Sequence, residues 1–283
     1  MSDESLEVLT VLRRTEQYLG KAGIDTPRLD AEVLLAFVLD VPRMSLYTGY
    51  DRPLTPEELS RYRALVRRRA ERIPVAYLTG EKEFYSLSFR VTPDVLIPRP
   101  DTEHLVDYAI AVGRDTEAPR LLDIGTGSGC IAVAWAVNVP RGSVVATDVS
   151  EAALDIAREN AMRHGVLDRA EFLHGDLYAP VQGRDAFDLV VSNPPYVDPD
   201  EETDPECRAE PSRAVFTAGD PLGIYGRLLR GARAALKPEG VLLLELPGRR
   251  EEEIAALAPK DLTVSEVRKD YGGLPRVLVA RAR

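Results

Sequence analysis

Two cysteines in 283 residues, Cys130 and Cys207, are too few for a disulfide framework or a cysteine zinc site. Histidine is as scarce: His104, His164 and His174 are the whole set and lack metal-ligand spacing, so each reads as a surface or helix-end side chain and no metal is expected. No run of eighteen or more apolar residues occurs, which excludes a membrane-spanning helix, and the acidic start Met1-Ser2-Asp3-Glu4 is unlike a signal peptide. A cytoplasmic location is the expectation. Positive charge is in deficit, 36 Lys and Arg against 46 Asp and Glu, for a formal net charge of −10. Such a surface repels phosphate backbones and weakens the counterion-release term of nucleic-acid affinity, so no stable nucleic-acid binding is expected.

What is present is ample apolar material: 45% of the chain is hydrophobic, enough to bury the cores of two unequal domains. Over the first seventy or so residues, Leu6, Leu9, Leu12 and Leu19, then Leu34, Leu35, Val38 and Leu39, recur at helical spacing, with breaks at Gly23, Pro27, Pro42 and Pro53. This predicts a small helical bundle. One of its helices opens with the capping box Thr55-Pro56-Glu57-Glu58 and carries Arg61, Arg63, Arg67, Arg68, Arg69 and Arg72, either a solvated face or a docking face for a partner. Residues 83–91 have the composition of a short hairpin. Beyond Asp101, helices alternate with apolar runs at 120–124, 143–147, 170–174, 187–192 and 240–246, the signature of parallel strands with crossover helices, and 262–267 and 276–280 add two more strands.

Two motifs carry chemistry. The first run ends in Gly125-Thr126-Gly127-Ser128-Gly129 and is followed by the apolar stretch Cys130–Val137, a strand, glycine loop and helix start suited to a nucleotide-type cofactor. The second run ends in Asp148, about twenty residues on, where a carboxylate can accept from ribose hydroxyls. The spacing GxGxG lacks the later glycine of GxGxxG and disfavours a nicotinamide cofactor. Asp123, just before the glycines, is expected to tether the loop. The other motif is Asn193-Pro194-Pro195-Tyr196, closing the run at 187–192. The Asn193 side-chain oxygen and the Pro194 carbonyl can accept the two N–H groups of a planar –NH2, on a turn that its prolines stiffen, while Tyr196 offers a flat face. An ordinary strand-ending turn with a buried tyrosine is the competing account of those four residues.

Together with Tyr77–Tyr85, the stretch Val95-Leu96-Ile97-Pro98-Arg99-Pro100-Asp101-Thr102-Glu103, Glu210-Pro211 and Lys237-Pro238-Glu239-Gly240, these motifs resemble the bacterial peptide chain release factor glutamine methyltransferases over nearly the whole chain. The resemblance implies an α/β fold of class I methyltransferase type: a Rossmann-like seven-stranded sheet with a small N-terminal helical bundle. Residues 1–75 would form the bundle and dock substrate, 76–100 a hairpin linker, and 101–283 the methyltransferase domain. It implies S-adenosyl-L-methionine as cofactor, held by Gly125, Thr126, Gly127, Ser128, Gly129, Asp148, Asp176, Leu177 and Asn193. Asp176 would accept from the adenine amino group or else merely cap a loop. Asn193, Pro194, Pro195 and Tyr196 would bind the glutamine of a release factor's GGQ motif and support methyl transfer, with Arg99 and Glu103 shaping the peptide entrance.

Two other functions fit parts of the pattern. An exocyclic base amine presents the same planar –NH2, so an amino methyltransferase of RNA or DNA is the alternative; the acidic charge and the IPRPDTE stretch oppose it. A non-catalytic cofactor-binding protein would not need both motifs intact. Leu246-Pro247-Gly248-Arg249-Arg250 and Tyr271–Arg276 depart from the family pattern.

Overall fold

The computed structural model describes residues 6–283 except 201, 202 and 218, so the Met1–Glu4 start lies outside the described residues. Two compact units emerge, Met1–Glu81 with Asp204–Ala209 and Lys82–Thr203 with Glu210–Arg283.

The first unit holds α1 (Val8–Lys21), α2 (Pro27–Leu39), α3 (Ser45–Thr48), α4 (Pro56–Ala70) and α5 (Val75–Thr79). On α1 the buried residues Val8, Val11, Leu12, Thr15 and Leu19 trace one face at helical spacing. Proline opens α2 and α4 at positions where no intrahelical N–H is needed. The expected capping box is present: Glu58 N–H donates to Thr55 Oγ1 at 3.2 Å, and Thr55 N–H to Glu58 at 2.9 Å. The arginine cluster is not one solvated face. Arg61, Arg63, Arg67 and Arg68 are exposed, but Arg69 is buried, 2.6 Å from Asp30 and paired with Glu206, because every third or fourth residue of α4 turns inward. Arg72 lies past the helix end and donates to the Gly23 carbonyl at 2.7 Å.

The second unit starts at Lys82, one residue into a hairpin of β1 (Glu81–Phe84) and β2 (Leu87–Arg90), whose Phe84 and Phe89 enter the main core. Its two turn residues, Tyr85 and Ser86, both have positive φ, as a tight hairpin requires, although neither is Gly or Asn. The Tyr85 amide donates to Glu103 at 2.9 Å and its hydroxyl to Asp107 at 2.7 Å, which holds that turn. There follow α6 (Glu103–Arg114), β3 (Arg120–Ile124), α7 (Cys130–Asn138), β4 (Ser143–Asp148), α8 (Glu151–Arg163), β5 (Ala170–His174), β6 (Phe187–Ser192), α9 (Ser212–Val215), α10 (Gly223–Ala235), β7 (Leu236–Glu245), α11 (Glu251–Ala255), β8 (Leu262–Lys269) and β9 (Pro275–Ala282).

Seven strands form one sheet in the order β5-β4-β3-β6-β7-β9-β8. Neighbours from β5 to β7 run parallel, and β9 is antiparallel to both β7 and β8. Side-chain alternation sends Leu121, Leu189, Val191, Val241 and Leu243 to one face, covered by α6 and α7, and Leu122, Val190, Leu242 and Leu244 to the other, covered by α10. The only tryptophan, Trp135, donates from Nε1 to the Ala109 carbonyl at 2.9 Å and locks α7 against α6. The expected strand at 240–246 starts earlier, at Leu236, since a register shift on β6 lets Phe187 pair with Leu236 ahead of Pro238.

Candidate active site

The chain order β3, β4, β5 moves one way across the sheet and β6, β7 the other, so strand order reverses between β3 and β6. Open parallel sheets bind ligands outside the carboxyl ends of the strands at such a point. Ile124 pairs with Ser192 across this junction, so Gly125 and Asn193 leave their strands side by side. A cavity of about 450 Å³ opens there.

The glycine loop forms its rim. Gly125 and Gly127 have φ of 73° and 55°, and a Cβ on either would meet open space, so it is backbone conformation that calls for glycine there. The Gly125 and Thr126 amides donate to the Thr147 carbonyl at 2.8 and 3.1 Å, and the Gly127 amide to Asp148 Oδ2 at 2.9 Å. Asp148 Oδ1 accepts from the Ser150 amide at 2.9 Å, which leaves each oxygen a further lone pair toward the cavity it lines. Gly125, Gly127, Asp148, Asp176, Leu177, Asn193, Pro194 and Pro195 all line that cavity.

Other residues singled out in the sequence stand behind or beside it. Thr126 and Ser128 are buried, and Thr126 Oγ1 donates to Asp123 at 2.7 Å, the tether expected of Asp123. Burial pushes the Asp123 carboxyl up to about 7, against the pull of the Thr126 hydroxyl. Asp176 pairs with Arg227 while half exposed. Tyr196 is half-buried and packs toward the α10 side, its phenol pushed up to about 12 by burial and by Glu245. Arg99 pairs with the buried Glu210, whose other oxygen accepts the Ile97 amide at 3.0 Å; Glu103 is engaged by the Tyr85 turn. His164 Nε2 meets the Ser88 carbonyl at 2.8 Å from a half-buried position, and His174 Nε2 the Val149 carbonyl at 3.0 Å from an exposed one.

Three residues that the motifs did not mark stand against the site. Asn160, 1% exposed, accepts the Arg90 amide at 2.8 Å and donates to the Arg90 and Ser128 carbonyls at 3.0 and 2.8 Å. Asn193 Nδ2 donates to the buried Thr102 Oγ1 at 3.2 Å, so its Oδ1 is the end left for a ligand. Glu245 ends β7 beside Asn193, 2% exposed, and burial pushes it up to about 7.

A sheet of this order with a glycine loop and an Asn-Pro-Pro-Tyr turn at its switch point defines a methyltransferase of class I type. Residues 10–80 match the PrmC N-terminal domain and residues 110–209 the methyltransferase small domain. The chain is 41% identical over 275 residues to the release factor glutamine methyltransferase of Geobacter sulfurreducens, covering 96% of this chain and 95% of that one. Against the same enzyme of Rhodopirellula baltica it is 41% identical over 286 residues, covering 98% and 97%. The chain belongs to the release factor glutamine methyltransferase family. Among solved structures, the hMettl16 catalytic domain (TM-score 0.54, 18% identity, 75% of this chain and 81% of that one) and a Pyrococcus furiosus methyltransferase (TM-score 0.52, 19% identity, 78% and 98%) share the fold. No helix among the described residues is long and apolar enough to cross a membrane.

Proposed function

We propose that this chain transfers a methyl group from S-adenosylmethionine to the side-chain amide nitrogen of the glutamine in the GGQ motif of peptide chain release factors. The observation that carries the reading is Asn193, which lines the cavity beside the glycine loop with its amide nitrogen already engaged by Thr102. Membership of the family supports the same substrate.

The cavity suits the cofactor's chemistry: carboxylates of Asp148 and Asp176 for polar groups, and apolar walls from Val149, Leu177 and Ile224 for a flat ring. Gly125–Gly129, Asp148, Asp176, Leu177 and Asn193 are the residues assigned to hold it. When bound, S-adenosylmethionine supplies a methyl group already activated by its positive sulfur. The protein therefore needs to align an acceptor and exclude water, and alignment alone is worth roughly 7–11 kcal/mol.

Asn193 Oδ1 and the Pro194 carbonyl accept one N–H each from the glutamine side chain, which fixes the nitrogen and returns electron density to its lone pair. Positive charge grows on that nitrogen as the new bond forms, so both hydrogen bonds strengthen in the transition state. The released proton passes to water, with no general base. Pro195 stiffens the turn, Tyr196 is assigned to give the substrate amide a flat face, and Arg99 and Glu103 are assigned to the peptide entrance. The helical unit, with its exposed Arg61, Arg63, Arg67 and Arg68, is assigned to docking of the release factor.

Incubation with labelled S-adenosylmethionine tests this on a release factor, the same factor with the GGQ glutamine replaced, and total RNA. Label confined to the intact factor is the expected result. Label in RNA would shift the assignment to a base-amine methyltransferase.

A further inference from the structure

We propose that Thr102 and Glu245 are positioning residues that fix which end of the Asn193 amide meets the substrate. This rests on the reading of Asn193 Oδ1 as an acceptor for the glutamine –NH2.

Sheet register supplies the juxtaposition. Ser192 pairs with Leu244, so Asn193 and Glu245 leave β6 and β7 side by side, on the face that α6 covers. Thr102 ends the turn Pro100–Thr102 that leads into α6 and is 2% exposed. Its Oγ1 accepts from Asn193 Nδ2 at 3.2 Å, and the Thr102 side chain also neighbours the Glu245 carboxyl, where it favours the ionised form against the effect of burial. Glu245 Oε2 is buried without a hydrogen-bond partner among the described residues. A buried carboxyl so poorly served costs stability, which a site gains from only if the group acts on something.

A threonine hydroxyl has one proton to give. An ionised Glu245 can only accept, so Thr102 donates to it and must accept from Asn193, whose –NH2 is drawn inward and whose Oδ1 faces the substrate. A protonated Glu245 can donate to Thr102 Oγ1. Thr102 is then free to donate to Asn193 Oδ1, and the reversed amide sets its own –NH2 against that of the substrate. The charged and titratable neighbours are Asp101 before α6, which disfavours ionisation of Glu245, and Arg276 and Arg99, which favour it. Tyr196, Tyr225 and Cys130 also face it, and their own pKa values are raised by burial and by its charge. With Glu245 held near 7, turnover falls as pH drops through that value.

The test measures kcat and KM for release-factor methylation against pH, for wild type, Glu245→Gln, Thr102→Val, Thr102→Ser and Asn193→Ala. Calorimetric binding of S-adenosylhomocysteine serves as the check that each variant is folded. Wild type is expected to lose turnover on the acid side of about 7, and Glu245→Gln to lose that limb with kcat about tenfold lower. Thr102→Val is expected to lower kcat by a similar factor with cofactor binding unchanged, and Thr102→Ser to restore it. A wild-type profile flat through 7, a limb that persists in Glu245→Gln, or normal kcat in Thr102→Val each overturns the inference. Should Thr102→Val or Glu245→Gln not fold, the wild-type profile and Thr102→Ser decide: a flat profile, or Thr102→Ser slower than wild type, overturns it. Normal turnover in Asn193→Ala overturns the underlying reading of the site instead.

Discussion

Asn160 Nδ2 donates to the Ser128 carbonyl over 2.8 Å, so the glycine loop is held from behind by a side chain on α8. The same amide brackets the Arg90 backbone, accepting its N–H and donating to its carbonyl, and every polar atom of the buried side chain is used. Asn160→Ala strands three backbone groups at once. Unsatisfied buried groups cost about 1–3 kcal/mol each before relaxation and water entry, so a net loss of about 2–3 kcal/mol is expected in denaturant unfolding. The loop loosens with it, and the Kd for S-adenosylhomocysteine rises several-fold. Unchanged binding in a destabilised variant would show that the strand ends alone shape the loop.

Asp148 meets the loop from the front. It holds the Gly127 amide, and in the proposed assignment it also receives ribose hydroxyls. Asp148→Ala removes charge-assisted hydrogen bonds worth about 1.5–3 kcal/mol, so cofactor affinity is expected to drop about 10- to 100-fold. KM for the release factor, extrapolated to saturating cofactor, stays the same. Calorimetry and initial rates separate the two, and a change confined to the protein substrate would move Asp148 out of the cofactor site.

The strands 120–124 and 187–192 were legible to the residue because each is a largely buried apolar run closed by turn residues, as parallel central strands are, whereas the edge strand 170–174, with only Phe172 buried, was placed by its β-type residues between the turns that bound it. The cavity was legible for the same reason: Gly125, Asp148 and Asn193 each stand at the carboxyl end of such a run, and the topology gathers those ends. What periodicity misses is polar side chains whose partners are remote in sequence. Nothing local marks Asn160 as the brace for residues 70 and 32 positions away, or separates Arg69 from its exposed neighbours when its partner is Asp30. Glu245 left one signal, an acid closing the run Val241–Leu244 just as Asn193 closes its own. The early start of β7 was hidden by Pro238, which a register shift accommodates.

Arg69 and Asp30 give a prediction for the helical unit. Both are more than nine-tenths buried, and Asp30 also accepts from Thr26 at 2.9 Å. Breaking such a pair from one side leaves a buried charge alone, and Arg69→Ala is expected to cost about 3–5 kcal/mol. The double variant Arg69→Met, Asp30→Leu is expected to recover most of that loss, because no deeply buried charge is then stranded and Glu206, a quarter exposed, is left to water. Urea melts of wild type, Arg69→Met, Asp30→Leu and the double variant give the coupling, and a double variant as unstable as Arg69→Met would mean that the pair is worth more than its packing.

Asp123 sets the direction of the stability profile with pH. In the unfolded chain its carboxyl titrates near 3.8, whereas the folded protein keeps the proton up to about 7 because burial disfavours the charge. Between those values the native state binds more protons than the unfolded one, so stability is full below about 4, falls as pH rises through 7, and is flat above. Glu245 adds to the same slope. Asparagine at 123 carries no charge at any pH and keeps an oxygen for the Thr126 hydroxyl. Asp123→Asn is therefore expected to melt at a higher temperature than wild type near pH 8, with the gap closing toward pH 4, where both side chains are neutral. Calorimetric Tm values across that range check it: parallel curves would mean that Asp123 is already ionised in the fold, with water or a ligand reaching its second oxygen.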